Sequence, residues 1–136
     1  MRFAILTHDH PFPHWDLLLE AGSFCRTWRL LSAPDAPGMI AAEAIADHRR
    51  AYLDYEGPVS GGRGSVTQWD AGDLVWLSCR GIQTTALVRG RRWNGRLTIR
   101  STLARPDVVD VILDQGPAWF HSHVTATAVH SKRWDI

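Results

Sequence analysis

The chain is poor in lysine. Lys132 stands alone against fourteen arginines, so fifteen cations face fourteen acids and the net charge is only +1. A near-neutral balance excludes the broad basic field by which many proteins announce nucleic acid. Cysteine is scarce too. Cys25 and Cys79 have no metal-like spacing, which excludes a disulfide scaffold and leaves two small, reduced hydrophobes in a cytoplasmic setting. No apolar run is long enough to span a bilayer, and Arg2 leads into a short strand-like segment rather than a signal sequence, so no membrane partner is expected. There are only two tyrosines, and both fall in one polar stretch, His48 to Gly57.

What is abundant is tryptophan, seven in 136 residues, set among short alternating segments. Most of the tryptophans are expected to line a core. Strands are expected over 2–7, 14–20 and 25–31, over 65–70 and 73–79 around a turn at Asp70-Ala71-Gly72, and in a hairpin over 83–89 and 95–101. Residues 40–47 fit helix or strand, 107–114 favour strand, and 119–129 read as a last, bent strand. Eight or nine short strands punctuated by glycine and proline predict an all-β fold, a single compact β-barrel with little helix, as one domain over 1–136.

The richest chemistry lies in His8-Asp9-His10-Pro11-Phe12-Pro13-His14-Trp15-Asp16-Leu17-Leu18-Leu19-Glu20. Side chains alternate along a strand, so His14 and Asp16 share a face. The two prolines make a tight return that can bring His8 back as a third ligand, while His10 stays exposed in the loop. Two imidazoles and a carboxylate suit Zn, Mn or Fe(II) and leave coordination positions open. His14-x-Asp16 with a distant His121 or His123 also spells the facial triad of a non-haem iron oxygenase, a rival reading that lacks a recognisable co-substrate site.

These residues resemble the start of the 3′-phosphoesterase domain of bacterial ligase D. The same order continues with Trp28, with Asp47-His48, Tyr52 and Asp54-Tyr55-Glu56-Gly57, and with the glycine-rich loop before Trp69-Asp70-Ala71-Gly72. The resemblance covers roughly residues 3–100, and nothing after Ser101 matches. It implies a compact barrel that removes 3′ phosphates and terminal ribonucleosides from DNA during repair by non-homologous end joining. It implies a divalent metal, manganese first and zinc second, on His8, His14 and Asp16, with His48 and Tyr52 as catalytic residues. The implied partners are DNA 3′ ends on primer–templates and a separately encoded ligase or polymerase. The chain departs from the family at Leu18, where the family carries a phosphate-gripping arginine; a second arginine is missing near Ile40, and Ala46 replaces an acid. Weak activity is the expectation, unless another arginine has taken over. Arg26 and Arg29 are the phosphate-binding candidates, with Arg49, Arg50 and Arg63 also near in sequence. A barrel that has lost its clamp could also serve as a non-catalytic module that binds DNA ends or a protein. Finally, Arg89, Arg91, Arg92, Arg96 and Arg100 crowd one hairpin, where Arg96 and Arg100 share a face and could form a stripe against a nucleic-acid backbone.

Overall fold

The computed structural model describes residues 1–36, 38–102 and 104–115. The expected strand at 119–129 lies outside them. The described elements are β1 (Arg2–His8), β2 (His14–Ala21), β3 (Phe24–Leu30), β4 (Ile40–Arg49), a 3₁₀ turn (Arg50–Leu53), β5 (Gly57–Pro58), β6 (Ser65–Arg80), β7 (Gln83–Gly90), β8 (Asn94–Ser101) and β9 (Val109–Gln115). All pairings are antiparallel. The strand order is β1-β2-β3-β4-β9-β8-β7-β6-β5, and β1 also pairs with β6, which brings the sheet round into a barrel. The fold is therefore the expected all-β barrel, with the single 3₁₀ turn the only helical element among the described residues.

Alternation explains how the barrel fills. Trp15, Leu17 and Leu19 of β2 face inward with Phe3, Ile5, Trp28 and Leu30 in the main core. Trp28 and Trp93 are buried, and Trp15, Trp69 and Trp76 pack around them, so five of the tryptophans do line the core. The opposite face of β2, with His14, Asp16, Leu18 and Glu20, is buried as well, because the chain after β4 folds back over it. Leu53 of the 3₁₀ turn sits on Ala4, Leu6, Leu18, Cys25 and Val66 in a second, outer core. Burying side chains of this kind is worth about 1.5–3 kcal/mol each.

Two expectations for the middle of the chain resolve differently. Residues 40–47, open between helix and strand, form β4, because they pair with β3 on one side and β9 on the other and tertiary pairing outweighs alanine's local preference. The turn expected at Asp70-Ala71-Gly72 does not form; β6 runs unbroken from Ser65 to Arg80. Asp70 is fully buried, and its carboxylate accepts the amides of Arg91, Arg92 and Trp93 as well as that of Ala71. It thus closes the β7–β8 turn, some twenty residues away, rather than one of its own. Gly72 pairs with both Phe3 and Gly90, and a Cβ there would lie 1.9 Å from the Arg89 carbonyl oxygen. The glycine marks a close approach of strands, not a reversal.

Candidate metal centre and cleft

The β1–β2 register sets His8 directly opposite His14, and Asp16 follows two residues on along the same face. The five-residue loop 9–13 is the return expected from its prolines. Across the loop, Asp9 accepts the Ser65 amide at 2.8 Å and faces the Ser65 hydroxyl at 3.3 Å. The Ser65 amide holds the Asp9 carboxyl below its usual range. Gly64, at φ +72°, leaves room for this clasp, since a Cβ there would meet Asp9 Oδ1 at 2.1 Å. The histidine loop is thereby tied to the glycine-rich loop before β6.

Hydrogen bonding settles which ring nitrogens are free. His8 Nε2–H donates to the Arg63 carbonyl at 2.8 Å, and His14 Nδ1–H donates to the Phe12 carbonyl at 2.9 Å. A carbonyl only accepts, so His8 Nε2 and His14 Nδ1 carry the donated protons, and in the neutral rings the lone pairs fall on His8 Nδ1 and His14 Nε2. Both face Asp16: His14 Nε2 lies 3.3 Å from Oδ1, and His8 Nδ1 lies 3.6 Å from Oδ2. His14 Nε2 and Asp16 Oδ1 are buried with no hydrogen-bond partner. Three potential ligand atoms thus converge, all within 4.8 Å of one another. Left alone this is costly, because buried acceptors lacking donors forfeit their solvation. Ligands about 2.0–2.2 Å from a shared cation lie roughly 3–3.5 Å apart; the two His–Asp16 separations are near that spacing, and the three residues could hold a divalent metal. Phe12 and Arg63 carbonyls orient the two rings from behind, as supporting partners do in metal sites.

His8 and Asp16 line a cleft of about 460 Å³ on the outer wall of the barrel, with His14 buried behind them. His48 and Tyr52 stand on its wall, their rings edge to face at 5.5 Å. His48 Nδ1–H donates to the Ala46 carbonyl at 3.1 Å, which leaves Nε2 open. His10 lies exposed at the mouth.

The structure separates the two candidate phosphate arginines. Arg29 lines the cleft and is the direct cross-strand partner of Asp16. Arg26 points the other way, near the far end of β2 and β3. Its guanidinium lies over Trp28 at 4.9 Å and reaches Cys79 Sγ at 3.5 Å. Arg50 pairs with Glu20 at 2.9 Å, and Arg63 turns onto Ser60 of its own loop. Leu18 is completely buried in the outer core with Leu53 and does not line the cleft. Of the hairpin arginines, Arg91 and Arg96 are exposed, and the other three have partners. Arg89 pairs with Asp73, Arg100 with Asp110 at 3.7 Å, and Arg92 stacks on Trp69 at 4.3 Å.

Several acids in the family-like stretches prove to be fasteners. Glu20 accepts the Arg2 amide at 2.8 Å besides pairing with Arg50. Asp54 takes a two-pronged bond from Arg2 at 2.7 and 3.0 Å, and Glu56 accepts the Gln68 amide at 2.7 Å. Together they strap the 3₁₀ turn onto β1, β2 and β6. No local sequence signal marks these partners. His121 and His123, the distal ligands of the rival oxygenase reading, lie outside the described residues; within them the group that joins His14 and Asp16 is His8.

No curated protein matches the chain. The profile of the DNA Ligase D 3′-phosphoesterase domain matches residues 6–101, which takes in the centre, the cleft wall and the barrel as far as β8. The match spans well over half of the 136 residues, and the chain belongs to the DNA ligase D 3′-phosphoesterase domain family.

Proposed function

We propose that this protein is a divalent-metal-dependent phosphoesterase that cleans 3′ ends of DNA, removing a terminal phosphate or ribonucleoside. The single observation that carries the reading is the convergence of His8, His14 and Asp16 ligand atoms, with His14 Nε2 and an Asp16 oxygen buried and without hydrogen-bond partners, beside an open cleft lined by His8 and Asp16. Manganese is the preferred ion and zinc the alternative. A cation held there would neutralise charge on a phosphoryl oxygen and lower the pKa of a bound water. The remaining work falls to the chain. Water oxygen bonds to phosphorus, and the ester bond to the 3′ oxygen of a terminal phosphate, or to the 5′ oxygen of a terminal ribonucleoside, breaks. His48 Nε2, left open by the Nδ1–H bond to the Ala46 carbonyl, takes a proton from the attacking water and passes it to the leaving oxygen, and the Tyr52 hydroxyl holds a phosphate oxygen.

In this reading the 136 residues act as one domain in the cytoplasm. The substrate is a primer–template 3′ end, and a separately encoded ligase or polymerase seals or extends the product. The test is phosphate release from a 3′-phosphorylated primer–template with Mn, alongside metal content. Wild type should bind about one ion per chain and release phosphate. His14→Ala combined with Asp16→Ala should abolish both. His48→Ala should keep the ion and lose about a hundredfold or more in rate, the usual scale for a general acid. Metal uptake and tight DNA-end binding without turnover in wild type would instead identify a non-catalytic end-binding module.

A further inference from the structure

The family's phosphate-gripping arginine belongs on β2, at the position of Leu18, and here that position is sealed under Leu53. The cleft nevertheless contains a guanidinium in the right neighbourhood, delivered by a different strand. Arg29 on β3 pairs in register with Asp16 on one side and Glu43 on the other. Directly opposed residues hold their Cβ atoms about 4.5–5.5 Å apart on a common face. The Arg29 side chain therefore rises beside the Asp16 carboxylate, into the same cleft.

Its bonding state is the telling feature. Arg29 Nε is buried and has no hydrogen-bond partner among the described residues. No ion pair joins Arg29 to Glu43 or to Asp16, although both are cross-strand neighbours. A buried guanidinium N–H without an acceptor is expensive, and arginine normally forks onto a carboxylate when one is in reach. The other nearby arginines are placed differently. Arg26 stacks on Trp28 and Arg50 is taken by Glu20. Arg63 and Arg49 also line the cleft, but Arg63 is bonded to Ser60, the Arg49 guanidinium lies over the Tyr52 ring at 5.9 Å, and neither is the cross-strand partner of Asp16.

We propose that Arg29 is a relocated phosphate clamp. Its guanidinium grips non-bridging oxygens of a terminal phosphate held at the His8–His14–Asp16 centre, and so distinguishes a 3′-phosphate end from a 3′-hydroxyl end. The role once carried on β2 has moved one strand over, to the residue facing the metal-ligating aspartate. This rests on the phosphoesterase reading, but it is measurable without turnover. Binding to otherwise identical primer–templates ending in 3′-phosphate or 3′-hydroxyl isolates the phosphate contribution.

With Mn present, wild type should prefer the 3′-phosphate end by tenfold or more. Arg29→Ala should erase that preference and lower phosphate release by about a hundredfold, the scale for losing one such donor. Arg29→Lys, which keeps the charge without the fork, should recover only part of both. Metal content should remain at about one ion per chain in both variants, and their circular dichroism should match wild type. Leu18→Arg should restore neither property to Arg29→Ala, because its side chain is committed to the outer core. An undiminished phosphate preference in Arg29→Ala, with the ion bound, would overturn the proposal, as would a wild type indifferent to the 3′ phosphate. A preference that depends on Arg29 in a protein that takes up no metal would leave the clamp standing and remove the metal-dependent reading instead.

Discussion

At the scale of single residues, what was readable from the chain is what strand alternation dictates. His14 and Asp16 sit two apart and therefore share a face, and a tight return placed His8 opposite them. What was not readable is what covers that face. Leu18 shares it, yet its environment is set by Leu53, thirty-five positions away, and no periodicity within β2 could disclose that roof. Asp9 and Ser65 are likewise bound across 56 residues. Cys25 shows the same burial as a chemical property. Removal from water, followed by the nearby Glu20 carboxylate, pushes its thiol up to about 11. The folded protein thus keeps this proton at pH values where the unfolded chain, with a thiol near 9, releases it. Stability from this group is whole below about pH 9 and falls as pH rises toward about 11, since there the unfolded state binds fewer protons. Denaturation midpoints in urea should therefore decline across that window, and Cys25→Ala should flatten the decline. Thiol labelling of the native protein at pH 8 should reach exposed Cys79 and spare Cys25.

At the scale of elements, the 3₁₀ turn Arg50–Leu53 is the piece that converts a strand face into a cleft. Its sequence, polar and aromatic, looks unlike a core element, and its one anchor, Leu53, is easily overlooked. The surrounding straps run from Arg2 to Asp54, from Arg50 to Glu20 and from the Gln68 side-chain amide to the Leu53 carbonyl at 3.0 Å. The two ion pairs involve exposed arginines and contribute little individually. Leu53 carries the energy. Leu53→Ala should cost about 2–4 kcal/mol of unfolding free energy, the range for a large-to-small change in a packed site. The same variant should bind its ion normally, because His8, His14 and Asp16 hang on β1 and β2, yet lose activity because Tyr52 and His48 lose their footing. Urea melts, metal content and phosphate release on one preparation check all three. A loss of metal together with activity would show that the turn holds the centre itself rather than the cleft wall.

At the scale of the molecule, the barrel is unevenly sewn. β6 pairs along most of its sixteen residues, with β1 and β5 over its first half and with β7 over its second. β4 and β9 meet in only three register positions: Ile40 with Val111, Ala41 with Asp110, and Ala42 with Val109. β9 also lies beyond the residues that match the family profile, so the strand that completes the ring comes from the part of the sequence with no recognisable signature. The cleft is built on β1–β4, an unbroken run of neighbouring antiparallel strands, and the seam lies at the far edge of that run. Among the ladders that close the ring, local opening should follow the shortest, where the fewest backbone hydrogen bonds and the least packing have to be broken. Hydrogen exchange within those ladders should thus be fastest at Ile40–Ala42 and Val109–Val111, and slowest along β1 and β6. Val111 is buried in the main core, 1% exposed, and fills the seam. Val111→Ala should lower stability by about 1–3 kcal/mol and speed exchange at the seam first. The β1–β2 amides near His8 and His14 should change only through the global stability. Adding Mn should protect the β1–β2 end in proportion to ion binding, by about 2.7 kcal/mol at a hundredfold excess over the dissociation constant, and leave exchange at the seam unchanged where it proceeds by local opening. Equal acceleration of β1–β2 and the seam in Val111→Ala, beyond the global loss, would mean that the barrel opens as one unit and that the cleft half has no separate stability.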